Sequence, residues 1–286
     1  MVTPSSNANS PPALNEAAQE AKFLIEQGFA LRNAGNYRSA LEKFDQAIAR
    51  DTSNAKSYLY RGQTLIQLRD YEAALQDFRA LIKLNPTEAR AWHGQGVAKA
   101  ELGLYPSAVD SFDRALAYDQ NNAKIWYNRG LALLKLSQHK QALESFEQAV
   151  AIDSTDHHTW YSVAIAQAGL EQIQAAVDSL DQAIRLKSDC HYAWNYRGTL
   201  FNRLFRHQAA IESFERSLQQ RTPNANAWYG LAVTYALLND AEATAKHLQQ
   251  AIEINPHVYS LMARNDADFD TVRSHPKVSA ILMQVT

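Results

Sequence analysis

The sequence predicts an all-α solenoid of antiparallel helix pairs, and three observations predict it. The five tryptophans, Trp92, Trp126, Trp160, Trp194 and Trp228, stand 34 residues apart. Small residues recur in the same register: Gly96, Gly130, Ala164, Gly198 and Ala232 follow the tryptophans, and Ala108, Ala142, Ala176, Ala210 and Thr244 form a second row further on. Composition agrees, with 46% hydrophobic residues, only 10 Gly and 8 Pro, and no long apolar run. Self-similarity at a fixed period of this length marks a stacked repeat architecture in which each unit buries its apolar face against its neighbours.

The register extends backwards through Tyr58 and Leu24, so seven units cover 238 of 286 residues, starting near 21, 55, 89, 123, 157, 191 and 225. The first helix of each unit carries the tryptophan row and the first small row, completed by Gly28 and Gly62. The second helix carries the other small row, completed by Ala40 and Ala74. Small residues at two fixed points let two backbones cross closely. Around that crossing run Phe44, Phe78, Phe112, Phe146, Leu180, Phe214 and Leu248, and one turn later Ile48, Ile82, Leu116, Val150, Ile184, Leu218 and Ile252. An apolar i, i+4 pair of this kind is one face of a helix.

The breaks are equally regular. Gly35, Asn36, Asp70, Gly103, Asn239 and Asp240 interrupt the pattern midway through their units, and Pro106 stands where a second helix should start, a position that suits proline. Asn85-Pro86 and Asn255-Pro256 close units at the other end. Residues 1–12, rich in Ser, Asn, Thr and Pro, read as a disordered tail, 13–258 as the solenoid, and 259–286 as a segment outside the rhythm.

Charge and cysteine usage exclude several functions. A net charge of −2 gives no excess of cations to neutralise phosphates, so nucleic acid is not an expected partner. The single cysteine, Cys190, cannot form an internal disulfide, and the first residues have no basic start, apolar stretch or lipid-attachment cysteine. The expectation is a cytoplasmic protein that does not insert into a membrane.

Trp126, Gly130, Ala142, Phe146 and Ala149, with their equivalents in the other units, resemble the tetratricopeptide repeat signature. The resemblance implies a right-handed superhelix of helix pairs whose first helices line a concave groove, and a role in binding other proteins. Leu24 and Tyr58 in place of Trp, Ala164 and Leu180 in the fifth unit, and Thr244 in the seventh depart from the signature. The stretch Asp268-Phe269-Asp270-Thr271-Val272-Arg273, followed by His275-Pro276 and Ile281-Leu282, resembles the closing segment of many bacterial arrays of this family, which makes 259–286 an expected cap.

Function is sought on the first helix, at positions two before, one after and five after the tryptophan row, which share one stripe. The first of these rows is Lys22, Lys56, Arg90, Lys124, His158, Tyr192 and Asn226; the second is Ile25, Leu59, His93, Tyr127, Tyr161, Asn195 and Tyr229; the third is Phe29, Gln63, Val97, Leu131, Ile165, Thr199 and Val233. Cations overlap aromatics only in the central units, so the expected peptide-binding residues are Arg90, His93, Lys124, Tyr127, Asn128, Leu131, His158, Tyr161 and Ile165. Rigid aromatic area anchors while cations steer, which suits partner segments with apolar and acidic residues. The competing reading is a solvated edge of lysines above residues that complete packing between units.

The family members that hold the C-terminal carboxylate of heat-shock chaperones do so with Lys, Asn and Arg; of the corresponding positions here, His93, Val97, Asn128, His158 and Ser162, only Asn128 matches, so that partner is not expected. The asparagine ladder of sugar-transferase arrays is also missing. Gly94 and Gly96 form a G-x-G inside a helix, where no phosphate loop can form, and no acid, base and nucleophile converge. No catalytic residue and no cofactor is expected. Asp156, His157, His158, Cys190 and His191 have the chemistry of zinc ligands, but helix starts about 10 Å apart are stretched for one ion, so no metal is expected either. The sequence thus reads as an interaction scaffold or assembly adaptor. The idiom Trp126-Tyr127-Asn128-Arg129-Gly130 resembles arrays of photosynthetic bacteria, which makes assembly of membrane complexes, through the convex face or the ends, the alternative; an enzyme or metal-binding regulator is the remote one.

Overall fold

The structure, a computed structural model, describes residues 12–283, with side chains from Glu16 onward. The expected tail therefore lies outside the described residues except for Pro12, which opens a helix instead of ending a tail. The described residues are helical throughout, without a strand. They form two compact units, divided after Gln138.

The first unit contains α1 (Pro12–Asn33), α2 (Tyr37–Arg50), α3 (Ala55–Gln67), α4 (Tyr71–Leu84), α5 (Ala89–Glu101), α6 (Tyr105–Tyr118) and α7 (Ala123–Lys135). Each helix packs on the next, and α1, α3, α5 and α7 also touch in succession, so the first helices form one layer. Helix α1 is longer than its counterparts because Ala17, Ala18 and Ala21 continue a good helix former backwards from the repeat.

The second unit contains α8 (His139–Ile152), α9 (His157–Gly169), α10 (Ile173–Leu186), α11 (His191–Arg203), α12 (His207–Gln220), α13 (Ala225–Leu237), α14 (Ala241–Ile254), α15 (Pro256–Asn265) and α16 (Pro276–Met283), with a 3-10 turn at Ala267–Phe269. Helix α16 packs against α14 and α15, and Phe269, Val272, Val278 and Leu282 join a core with Ala232 and Leu248.

The sequence rows explain the packing. Ala40, Ala74, Ala108, Ala176 and Ala210 are fully buried, and so is Thr244, whose hydroxyl is satisfied by the Asp240 carbonyl at 2.7 Å. Phe44, Phe78, Phe112 and Phe214 are buried beside the glycines of the facing first helices. The tryptophans are only half-buried. Trp92, Trp126, Trp160 and Trp194 each donate their indole N–H to a carbonyl of the preceding loop, that of Pro86, Gln120, Ser154 and Ser188 respectively, at 2.8–2.9 Å. The tryptophan row therefore ties each first helix to the loop that enters it.

Asn54, Asp70, Glu88, Asp156, Asn224, Asp240 and Asn255 cap helix starts through their side chains. The turn inside each unit places one residue in the left-handed region: Gly35, Arg69, Gly103, Ser137, Glu171, Phe205 and Asn239. Five of these are not glycine, which is why the sequence marks only some turns. Replacing Gly103, at φ +76, by Ala should cost about 1 kcal/mol, and Arg69→Gly should gain several tenths. Urea unfolding followed by circular dichroism checks both; equal midpoints for the two variants would show that this turn does not limit stability.

Candidate functional site

The first helices of each unit enclose a groove. In the first unit it measures about 580 Å³ and is lined by Arg32, Gln63, Gln67, Arg90, His93 and Lys124, with Val97 among the apolar contributors. In the second it measures about 620 Å³, and Tyr161, Tyr192, Tyr196, Tyr229, Asn195 and Asn202 dominate its lining.

The polar groove is less cationic than its residues suggest. Arg90 Nε lies 2.7 Å from the carboxylate of Glu88, the cap of its own helix, so much of its charge is spent locally. Burial, and secondarily the nearby Lys124, pushes the His93 pKa down to about 4, so its imidazole is neutral at pH 7. Its Nε2 then accepts from the Asn128 amide at 2.8 Å. Arg32 donates to Gln63 at 2.6 Å and lies over the rings of Phe29 and Tyr60. Lys124, exposed beside His93, and Arg32, whose partner Gln63 is neutral, carry the groove's positive charge.

The aromatic groove is built from ring contacts. Tyr161 meets Tyr192 edge-on at 4.7 Å between centroids and Tyr196 at 6.0 Å. Tyr192 stacks on His158, whose Nδ1 lies 3.0 Å from the tyrosine hydroxyl. Asn202 donates to Thr234, and Asn195 donates to Asn224, while the buried side-chain amide oxygen of Asn195, Oδ1, has no partner. Exposed Phe205 and Met262 flank these groups.

The expected site residues distribute as follows. In the first unit, Arg90, His93 and Lys124 line the polar groove, Asn128 holds His93, and Tyr127 and Leu131 are half-buried on α7. In the second, Tyr161 lines the aromatic groove, His158 braces Tyr192, and Ile165 is half-buried on α9 outside the lining. The row after tryptophan is not a groove row throughout: Ile25 and Leu59 are buried in the core, whereas Tyr229, also largely buried, still lines the second groove. The reading from sequence missed Tyr196, Asn202 and Arg203. Together with Tyr192, Asn195 and Thr199 they complete an i, i+3, i+4, i+7 stripe along α11, so helical periodicity was the available signal.

Among the described residues no group of three His, Cys, Asp or Glu side chains is placed to hold a metal ion. Cys190 is buried at the start of α11, and burial pushes its thiol pKa up. No helix among them is long and apolar enough to cross a membrane.

The chain belongs to the tetratricopeptide repeat family. Models described as tetratricopeptide repeat match residues 25–89, 123–156, 163–225 and 204–264, and one described as TPR repeat matches 96–137. No curated protein matches the chain. Among solved structures it is similar to YrrB, described as a TPR protein with an unusual peptide-binding site, at 22% identity and a TM-score of 0.58 over 65% of this chain and 96% of that one. MamA 41-end from Desulfovibrio magneticus RS-1 is 27% identical, with a TM-score of 0.56 over 58% and 94%. A tetratricopeptide repeat protein from Parabacteroides merdae ATCC 43184 reaches 0.63 at 15% identity over 89% and 99%. The fold is that of an all-α tetratricopeptide solenoid, and family and fold together define a protein-interaction scaffold.

Proposed function

We propose that this scaffold is an adaptor that seats extended segments of partner proteins on its first helices, with the tyrosine groove of the second unit as the principal seat. The observation that carries this reading is the cluster of Tyr161, Tyr192 and Tyr196 around an open volume of about 620 Å³. Tyrosines offer large contact area with few rotors to freeze, and here their neighbours already hold them. The likeness to YrrB, whose description names a peptide-binding site, supports a peptide as occupant. Partner segments with acidic residues suit the first unit, where Lys124 and Arg32 are the cations to meet them. The reading is a binding module and not an enzyme, and its setting is taken as a bacterial cytoplasm. The alternative, assembly of membrane complexes of the photosynthetic type through an end or the convex face, is favoured by one feature: α15 exposes Val258 and Leu261 outside the groove lining.

Peptides selected from a random display library on the purified protein test the proposal. They should bind in the micromolar range, near −8 kcal/mol at best, because the interface is small and ordering a peptide is costly. Tyr161→Ala combined with Tyr196→Ala should weaken them at least about tenfold, about 1.4 kcal/mol, with helicity retained. Undiminished binding by that variant overturns the groove as the seat.

A further inference from the structure

Charge and ring chemistry in the second unit's groove point to a more specific occupant than any extended peptide. Arg203 is its one lining cation, and Glu171 holds that guanidinium at 2.5 Å. Asp266 and Asp268 line the groove where the 3-10 turn follows α15. Asp266 is partly engaged: it accepts from the Tyr229 hydroxyl at 2.8 Å and from the Asp268 backbone N–H at 3.0 Å. The nearby Arg273 does not neutralise either side chain. Its guanidinium is spent on the carbonyls of Ala263, Arg264 and Asp266 and on the carboxylate of Asp270. Partial burial, and then the like charge of Asp266, pushes the Asp268 carboxyl pKa up, so its ionised form lacks a compensating cation.

We infer that the groove selects a segment in which an apolar side chain is followed closely by Lys or Arg, the apolar group lying among Tyr161, Tyr192 and Tyr196 and the cation against Asp266 and Asp268. A cation there gains twice, from the carboxylates and from the tyrosine faces along its approach. This preference is opposite in sign to the acidic partner that the cation row of the sequence suggests, because that row ends before the second unit's groove begins: its members there are His158, Tyr192 and Asn226.

The inference rests on the groove reading, and the test separates the two. Three synthetic peptides share one Leu- and Tyr-containing core and differ only in a flanking Lys, Gln or Glu, and fluorescence anisotropy measures each against the full chain. The Lys peptide should bind at least about tenfold tighter than the Glu peptide at about 50 mM salt, and the gap should narrow at about 500 mM. Asp268→Asn should narrow it too while leaving the Gln peptide unchanged; this side chain is exposed and caps nothing, so folding is not at stake. Tyr161→Ala with Tyr196→Ala should weaken all three. Equal binding of the Lys and Glu peptides, with the tyrosine variant still weakened, overturns the charge preference and leaves the groove. Peptides that bind nowhere, or that ignore the tyrosine variant, overturn both.

Discussion

Phe78→Ala should destabilise the first unit by about 4 kcal/mol. The ring is fully buried on α4 between two first helices. A Cβ on Gly62 of α3 would come within 3.0 Å of it, and a Cβ on Gly94 of α5 would collide with it. Glycine at both of these contacts offers no side chain to swing into the void, so much of the cavity should persist and the loss fall at the high end of its class. The same geometry makes a second expectation. Gly94→Ala should destabilise the wild type by crowding the ring, yet stabilise Phe78→Ala by filling part of the void. Urea unfolding of the four proteins closes the cycle; additive effects would mean that the ring does not sit between the two glycines.

These glycines show how much of the fold the sequence carried. Gly62 and its equivalents stood out because they recur every 34 residues, and the recurrence sufficed to pair the helices. Gly94 and Gly230 share a register, but Asn128, Ser162 and Tyr196 stand between them in that row, so their role against Phe78 and Phe214 of the preceding pair emerges only from the packing. The turns behave likewise. Seven positions share a left-handed backbone, but Arg69, Ser137, Glu171, Phe205 and Asn239 have no composition in common that would announce it. Residues 13–20 read as part of the array, but nothing periodic marks them as an extension of its first helix before the first repeat.

The grooves were less legible than the fold, for a physical reason. A row in the sequence fixes which helix face a residue occupies, but not whether its charge is already spent. Arg90 counted as a steering cation until Glu88, two residues before it, is seen to hold it, and His93 counted as a peptide-binding residue until burial makes it neutral and Asn128 is seen to hold it. Conversely Asp266 and Asp268 lie beyond the periodic region, so no register assigned them to a first-helix groove.

Arg61→Met should cost about 3 kcal/mol at pH 7, several times the loss from Arg129→Met. Both arginines sit at the same place in their units and both hold an exposed aspartate, Asp45 at 2.6 Å and Asp113 at 2.7 Å. Arg61 in addition grips Asp77 with two nitrogens at 2.5 and 2.8 Å, and that carboxylate is only 3% exposed. Without Arg61 it is a buried charge with no counterion, whereas Asp113, 50% exposed, falls back on water. The sign of the pH dependence follows. Burial already outweighs the arginine and holds the Asp77 pKa above its ordinary value, and removing Arg61 should raise it further. The native variant then binds this proton more tightly than the unfolded chain does. Relative to the wild type, its penalty is full above the variant's raised native pKa and is relieved as pH falls from there to the wild type's lower native value, the unfolded value being common to both. Arg61→Met should therefore lose distinctly less stability at pH 5 than at pH 7, and adding Asp77→Asn should recover part of the neutral-pH loss. A penalty that is the same at both pH values, or no larger than that of Arg129→Met, would show that Asp77 is not the group Arg61 compensates.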